Sequence, residues 1–369
     1  MTIMNISQHW NLLQAKLFPM IEEEFGLLSD KQQEFIRIID FARVEEFIRD
    51  YHGCVGRPQK DRIAIAHAFI AKAVYNLPTT RSLIDRLLCD NVLRRLCGFE
   101  TKKQIPSEAT FSRSFSEFSV SALGCHLQDA FIKKYHASRL IGHISRDATA
   151  ILAREQALSK PLVTKDTDVV CIKKKGRPKK GEVRPKAELK GLEKQVTLTL
   201  QEQLANLPKA CDVGVKKNSK GFKESWKGYK LHIDTADGDI PISAILTSAS
   251  VHDSMAALPL SQLTANKVTN LYDIMDAAYD AEIIRRSSQN QGHVPLIDRN
   301  KRTQESIIPF APHELERYKE RCSAERVNSN LKDNFGGCFT RVRGHMKVFC
   351  HLMFGLLSIT ISQTLRLVT

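Results

Sequence analysis

A set of polar residues has the types and the spacing of a site for a cation and a phosphate. The set consists of Tyr318, Arg321, Glu325 and Lys332, which are spaced by three, four and seven residues. On a helix predicted over about residues 314–332, this spacing places them on one face, within about 60° of one another. The carboxylate could hold the cation, while the other three side chains could bind phosphate oxygens. A solvated helix with an Arg321–Glu325 ion pair has the same spacing, and spacing alone favours that simpler interpretation.

Two aspartates follow predicted β-strands and could complete such a site with Glu325. Asp147 ends the strand predicted at residues 141–147, and Asp276 directly follows the strand predicted at residues 271–275. Acids at the carboxyl ends of strands meet at the edge of an open α/β sheet, where ligands bind. Three carboxylates suit a pair of Mg²⁺ ions, which prefer oxygen ligands and can promote an in-line displacement at a phosphodiester.

The two aspartates also allow simpler interpretations. Either could be an exposed loop residue or a helix cap, because aspartate is common in both positions. For Asp276, the neighbouring Asp273 and Asp280 are rival ligands. Three acids from distant parts of the chain nevertheless match what a two-metal site needs.

The elements that would position these acids form a mixed α/β sheet. Two strands, residues 229–235 and 240–248, are joined by a turn at residues 236–239 that contains Asp-Gly, a strong hairpin signal. A helix is predicted at about residues 281–289 and a fifth strand at residues 294–297. Three strands followed by alternating strand and helix favour an α/β fold flanked by helices.

Residues 1 to about 135 are predicted to form an all-α domain. Helices are expected over residues 32–49, 62–75 and 81–96, and a fourth opens at Pro106. Short helices with interspersed arginines could form a helix-turn-helix DNA reader. A plain helical bundle with solvated arginines has the same pattern, and the sequence favours neither.

The charge balance points to a polyanionic partner. The net charge is +14 at pH 7 and the isoelectric point is about 9.3. Nucleic acid is the leading candidate, since lysine and arginine neutralise phosphates, and a merely basic soluble protein is the alternative. Four basic residues behind the polar set could add backbone contacts or could be surface charge: Arg341, Arg343, His345 and Lys347.

Cysteine usage and hydropathy indicate a cytoplasmic protein. The nine cysteines are scattered and include no C-x-x-C pair, which argues against a zinc site or a disulfide framework. The first residues lack the basic region and the cleavage site of a signal peptide. The most apolar stretch, residues 348–361, is short for a membrane span, so we predict a buried helix there and no membrane association.

A lysine-rich segment, about residues 160–227, separates the first two predicted strands. It is poor in aromatic residues and is interpreted as a basic, partly flexible insertion. Within it, Arg177 stands in a Gly-Arg-Pro sequence followed by Lys179 and Lys180. This resembles an AT-hook, whose arginine enters the narrow minor groove of A·T-rich DNA. A solvated lysine linker with non-specific DNA affinity is the slightly favoured alternative.

The polar set resembles the Y-R-E-K signature of bacterial insertion-sequence transposases with a DDE catalytic domain. The spacing Tyr-x2-Arg-x3-Glu-x6-Lys agrees throughout. Four further landmarks of that family occur earlier in the chain, in the expected order. They are Ser145-Arg146-Asp147, Gly228-Tyr229-Lys230-Leu231-His232, Val251-His252-Asp253-Ser254 and Asp276-Ala277-Ala278-Tyr279-Asp280. The resemblance covers about residues 140–365, and more loosely the helical N-terminal region.

The resemblance implies a ribonuclease-H-like catalytic domain at about residues 140–365, with the basic insertion inside it. It implies two Mg²⁺ ions, for which Mn²⁺ could substitute, held by Asp147, Asp276 and Glu325 as metal-binding and catalytic residues. The remaining members of the signature, Tyr318, Arg321 and Lys332, would position the DNA backbone. His252 and Asp253 would have a structural or supporting role.

The resemblance also implies a function. The protein would bind the terminal inverted repeats of an insertion sequence, cleave the DNA and join it to target DNA. A homodimer on paired ends, associated with the bacterial nucleoid, is expected. Two alternatives are a catalytically silent DNA-binding regulator derived from a transposase and a stand-alone metal-dependent nuclease.

Overall fold

A computed structural model describes residues 3–48, 60–157, 191–217, 220–300, 309–338 and 340–368. Its helices in chain order are α1 (Ile3–Leu12), α2 (Phe18–Phe25), α3 (Asp30–Ala42), α4 (Arg62–Val74), α5 (Thr80–Cys89), α6 (Asn91–Leu96), α7 (Glu108–Val120), α8 (Leu123–Tyr135), α9 (Gly191–Val196), α10 (Leu200–Asn206), α11 (Ser254–Ala265), α12 (Glu282–Asn290), α13 (Pro312–Tyr318), α14 (Cys322–Asn334) and α15 (His345–Arg366). Its strands are β1 (Leu140–Leu152), β2 (Asp212–Lys217), β3 (Lys223–Ala236), β4 (Ile240–Ser248), β5 (Thr269–Met275) and β6 (Val294–Ile297).

The predicted helical N-terminal region is confirmed, although two of its helices are shorter than expected. The helix predicted over residues 32–49 ends at Ala42, because Arg43 adopts a left-handed backbone conformation with φ of 49°. The helix predicted over residues 81–96 is divided into α5 and α6. The division lies at Asp90, whose carboxylate accepts a hydrogen bond from the backbone N–H of Leu93 at 2.9 Å and caps α6.

The core of the helical region is completed by α15, the last described helix. This helix contacts α3, α4, α7, α8, α14 and β4, and the ring of Phe354 stacks on that of Phe69 with centroids 6.3 Å apart. By length and composition α15 alone among the described helices could cross a membrane, but 83% of its apolar window is buried inside the protein. The predicted buried helix at residues 348–361 is therefore confirmed.

The sheet is mixed, as predicted. The strands β1, β5 and β6 are parallel neighbours, whereas β3 is antiparallel to both β1 and β4. Because β1 and β4 pair with the same residues of β3, they lie on its two opposite edges and give the order β4-β3-β1-β5-β6. The expected hairpin is present, with its turn between Ala236 and Ile240.

Part of the predicted basic insertion has regular structure. Residues 191–217 and 220–227 form α9, α10, β2 and the beginning of β3. β3 begins earlier than predicted because its first residues pair with β2, from Lys217↔Lys223 to Asp212↔Gly228. Residues 158–190, which include the predicted DNA contacts Arg177, Lys179 and Lys180, lie outside the described residues.

A buried ion pair fastens the centre of the sheet. The Nε and Nη2 atoms of Arg146 on β1 each donate to one carboxylate oxygen of Asp234 on β3, both at 2.7 Å. Asp234 also accepts a hydrogen bond from the hydroxyl of Thr264 on α11 at 2.7 Å. Arg146 is 2% exposed and Asp234 is fully buried, so each charge depends on the other.

We expect Asp234→Ala to lower the free energy of unfolding by about 3–5 kcal/mol, because the buried Arg146 guanidinium loses its hydrogen-bonded counter-charge and keeps only the weaker interaction with Asp273. Urea denaturation at pH 7 measures the change. Arg326→Ala is the control: Arg326 makes a similar two-bond contact with Asp239, at 2.8 and 2.7 Å, but its side chain is 54% exposed. This substitution should cost less than about 1 kcal/mol, and equal costs for the two variants would contradict the role of burial.

Candidate active site

Strand register brings aspartates together at the carboxyl edge of the sheet. β1 and β5 pair in parallel as far as Arg146↔Met275, so the next residues on the two chains are Asp147 and Asp276. Similarly, β5 and β6 pair as far as Met275↔Ile297, and the residue after Ile297 is Asp298. Neighbouring strands lie about 4.8 Å apart, so the backbones of the three aspartates lie side by side along one edge of the sheet.

The prediction that the first strand ends at Asp147 is wrong, because β1 continues to Leu152. Its parallel neighbour β5 stops, yet β3 continues to pair with its other edge as far as Leu152↔Gly228. The backbone of β1 is therefore paired with β3 both before and after Asp147. At Gly228 φ is +151°, and a Cβ atom would lie 2.0 Å from the carbonyl oxygen of Ile151, so only glycine fits this close approach.

The predicted long helix over about residues 314–332 is interrupted. Residues Lys319–Arg321 form a 3₁₀ turn between α13 and α14, although the helical path continues through them. Within this turn the carbonyl of Glu320 accepts a hydrogen bond from the Ser145 hydroxyl at 2.9 Å, which holds the turn against β1. The apolar side of α14, with Val327 and Leu331, packs into a core beneath it. The opposite side carries Glu325, and Asn328 contacts Asp147.

Asp147 is the acid most affected by its surroundings. Its Oδ2 atom accepts a hydrogen bond from Nδ2 of Asn328 on α14 at 2.9 Å. Its pKa is raised to about 6, mainly by burial and to a smaller extent by the charges of Asp276 and Glu325, against the opposing effects of the Ala148 N–H and Arg321. Asp276 and Glu325, the other two acids predicted from the sequence, thus both lie within electrostatic range of Asp147.

Asp276 is the better candidate ligand among the three aspartates of its segment. Its Oδ1 atom accepts a hydrogen bond from the Ala278 N–H at 2.9 Å. Burial raises its pKa, and the charges of Asp253 and Asp298 add to this effect. The carboxylate therefore sits among other acids, as a site for a divalent cation requires.

The rival aspartates are engaged elsewhere. Asp273 is 2% exposed and accepts hydrogen bonds from Ser288 at 2.6 Å and from the His293 ring at 3.1 Å. Asp280 forms an ion pair with Arg285 at 2.8 Å. Burial by itself would raise the pKa of both aspartates, but these partners lower it. The geometry therefore favours Asp276.

Glu325 forms the ion pair that the simpler interpretation of the helix foresaw. Its Oε1 atom lies 2.6 Å from Nη2 of Arg321, and its side chain is 51% exposed. The same Arg321 also lowers the pKa of Asp147 and Asp276. The ion pair is thus part of the acidic cluster, and the two interpretations of the polar set are compatible.

The other two members of the polar set lie at opposite ends of this face. Tyr318 is half-buried, with its ring 4.9 Å from that of Phe310. Burial and the nearby acids raise its pKa to about 12, so its hydroxyl remains a hydrogen-bond donor at neutral pH. Lys332 is half-buried, and its pKa is lowered by burial and by the charge of Lys216 on β2, a neighbour that the sequence did not indicate.

Several residues around the acids were missed or left without a defined role by the sequence. Asp298 follows a predicted strand and could have been found by the rule that found Asp276. Asn328 stands one helical turn after Glu325, but an asparagine there carries no signal of its own. Lys230 forms an ion pair with Asp253 at 2.9 Å, so two of the family landmarks hold each other. The neighbouring His252 hydrogen-bonds to Ser254 at 2.8 Å, which is a structural contact.

The donor set fits a divalent cation. The three carboxylates offer hard oxygen ligands. Burial, with smaller contributions from neighbouring acids, raises the pKa values of Asp147 and Asp276, and a bound cation would favour their ionised forms. Within the described residues, no three His, Cys, Asp or Glu side chains are already gathered tightly enough to hold an ion. Each acid instead contacts a protein donor, so Glu325 in particular would have to leave Arg321.

Comparison with known protein families gives two matches. Residues 22–117 match a family described as a transposase domain (DUF772), and residues 172–361, more than half of the chain, match the transposase DDE domain. Both matches define a transposase. The chain belongs to the DDE transposase family. Comparison with curated proteins and with solved structures finds no match.

Family membership confirms the broader part of the prediction. A DDE domain implies a ribonuclease-H-like fold, DNA as substrate and, in general, divalent metal ions. Asp276 and Glu325 lie inside the matched region, whereas Asp147 lies between the two matched regions. The Y-R-E-K signature and the roles of individual residues stay predictions.

We expect Asp147→Asn to raise the free energy of unfolding at pH 7 by about 1–3 kcal/mol. The pKa of Asp147 is about 6 in the folded chain and about 3.9 when unfolded, so its ionised form destabilises the fold above that range. Denaturation as a function of pH should show the gain shrinking from pH 6 to about pH 4 and absent below, where both states are protonated.

Asp273→Asn provides the opposite case. The pKa of Asp273 is lowered, because hydrogen bonds from His293 and Ser288 outweigh burial, so its substitution should destabilise the protein at pH 7. Destabilisation by Asp147→Asn at that pH would show that the fold accommodates the Asp147 charge well, and would contradict the expected effect of its burial.

Proposed function

We propose that the protein is an active DNA transposase that binds the terminal inverted repeats of an insertion sequence, cleaves there and joins the end to target DNA. The register of β1 and β5 is the observation that carries the proposal, because it sets Asp147 and Asp276 at adjacent positions. Glu325 affects the pKa of Asp147 from the helix above. Such an arrangement matches the need of phosphodiester chemistry for several carboxylates at one point.

Asp147, Asp276 and Glu325 would hold two Mg²⁺ ions, or Mn²⁺ in their place. Bound there, the ions would supply an activated water and charge stabilisation at the leaving oxygen. Asn328 would keep Asp147 oriented through its amide. Deprotonation of Asp147, whose pKa is about 6, would be favoured near neutral pH and by a cation.

The remaining residues of the polar set would position the DNA backbone. Arg321, once separated from Glu325, offers a planar group that binds two phosphate oxygens. Tyr318 would donate its hydroxyl, since its pKa is raised to about 12. Lys332, next to Lys216 of β2, would add positive charge at the far end of the face. Their combined effect is to fix the scissile phosphate over the acids.

Strand transfer sets a requirement for assembly. Cleaving and joining both ends of an element uses two sets of acids, so we propose a homodimer on paired ends. Arg177, Lys179 and Lys180, which precede the described part of the insertion, would add non-specific or minor-groove contacts. All three acids are present, so we favour an active transposase. The test below distinguishes it from the silent regulator and from the stand-alone nuclease.

The test is cleavage, by the purified protein with Mg²⁺, of duplex DNA that flanks the gene. We expect nicks at defined ends, and a decrease of at least about a hundredfold in rate for Asp276→Asn and Glu325→Gln, since each removes a metal ligand. Binding of the uncut duplex, measured by fluorescence anisotropy without metal, should change little in either variant.

Glu320→Gln is a matched control for Glu325→Gln. Glu320 is exposed in the preceding 3₁₀ turn, and its side chain is not required by the proposed site, so cleavage should persist. Normal cutting by Glu325→Gln would refute the assigned site. Binding without cutting by the unaltered protein would support the regulator, and cutting without joining would support the nuclease.

A further inference from the structure

A second basic feature lies between the helical region and the segment that leads into α15. It is a pocket of about 310 Å³ whose wall includes five cations and, among the described lining residues, one acid. These are Lys72, Arg154, Arg341, Arg343, Lys347 and Glu108. None of them belongs to the polar set or to the three acids described above.

Lys72 is the unusual member of this pocket. It is only 7% exposed, and no hydrogen bond or ion pair joins its ammonium group to any other described residue. Burial lowers its pKa to about 8, with no carboxylate near enough to oppose the effect. A buried ammonium without a counter-charge is costly, and an anion in the pocket would remove that cost.

The acids near the pocket are already engaged. Glu108 lies 3.2 Å from Arg81 in an ion pair. Glu155, which follows Arg154, accepts hydrogen bonds from the Tyr229 hydroxyl and the Gly344 N–H. Within the described residues, Arg154, Arg341, Arg343 and Lys347 likewise have no ion-pair partner. Some arginines elsewhere in the helical region do have one, such as Arg62 with Glu117 at 3.0 Å. The pocket therefore concentrates uncompensated positive charge.

The position of the pocket relates it to the acids. Arg154 stands two residues beyond the end of β1, and Asp147 lies five residues before that end. At about 3.3 Å per strand residue, these seven residues span at most about 23 Å, and a separation of roughly 20 Å is equivalent to about six base pairs of duplex DNA. A phosphate held in the pocket would thus belong to the same DNA but lie away from the cut.

We propose that this pocket binds one phosphate of the DNA backbone about six base pairs from the cleaved bond, which ties the bound duplex to the helical region. The inference rests on the proposed function, since it presumes that the duplex crosses the acidic edge. A free phosphate ion has the same chemistry, and the experiment below distinguishes it from a phosphate of the DNA backbone.

The experiment compares Arg341→Gln/Arg343→Gln with the unaltered chain. Binding of a duplex from the DNA flanking the gene is measured by anisotropy at several salt concentrations, without metal. We expect weaker binding and a salt slope lower by about one, because one phosphate is no longer neutralised. A methylphosphonate replaces one charged phosphate by a neutral group. For the unaltered chain, a single substitution about six base pairs from the cut should weaken binding. For the variant, the same substitution should have no further effect.

Lys133→Gln/Lys134→Gln is the charge-matched control, because it removes two exposed lysines of α8 that do not line the pocket. It should retain the position-specific effect of the methylphosphonate. Lys72→Met tests the buried lysine. It should lower the salt slope by about one, because one phosphate is no longer neutralised. The thermal midpoint should be unchanged or raised, because the substitution removes an unpaired buried charge.

An unchanged salt slope and an unchanged methylphosphonate profile in Arg341→Gln/Arg343→Gln would overturn the pocket proposal alone. If inorganic phosphate stabilises the unaltered chain but not this variant, while both bind the duplex equally, the pocket is a free-anion site and the DNA assignment is wrong. Absence of duplex binding by the unaltered chain would overturn the proposed function and the pocket proposal together.

Discussion

Parallel pairing between β1 and β5 is the constraint on which the candidate active site depends. The pairing runs through Arg146↔Met275 and then stops, because β5 gives way to a turn while β1 continues beside β3. Consecutive strand residues point to opposite faces, so Arg146 faces the interior and Asp147 faces the helices above. A slip of one residue would exchange these two environments, and the fold would then have to bury an aspartate among acids and expose the arginine.

The same strand shows two ways of treating a charge. Arg146 is sealed inside and is fully matched by Asp234 and its partner Thr264. Asp147, the next residue, accepts a hydrogen bond from a neutral amide and lies near two further acids, so burial and these acids raise its pKa despite the opposing effects of the Ala148 N–H and Arg321. The first arrangement stabilises the sheet, and the second leaves a partly buried carboxylate with a raised pKa at its edge.

Much of this arrangement could be predicted from the sequence, because the decisive signals are local. The turn at residues 236–239, the strands that precede Asp276 and Asp298, and the helical spacing of Tyr318, Arg321 and Glu325 all reflect short-range patterns. The extension of β1 beyond Asp147 could not be predicted, since it depends on pairing with β3 some eighty residues later. The roles of Asn328 and Lys72 were also hidden, because an amide or a lysine becomes distinctive only once its neighbours are known.

The position of α15 has a consequence for how the protein is made. Helices α3, α4, α7 and α8 emerge early from the ribosome, yet the helix that fills the core between them and the sheet is the last described element. Glu325 also comes late, on α14. A nascent chain would therefore expose the apolar faces of these helices until α15 has been synthesised, and such exposed faces are prone to aggregation. Until α14 has been synthesised, the chain also lacks one of the three acids of the candidate site.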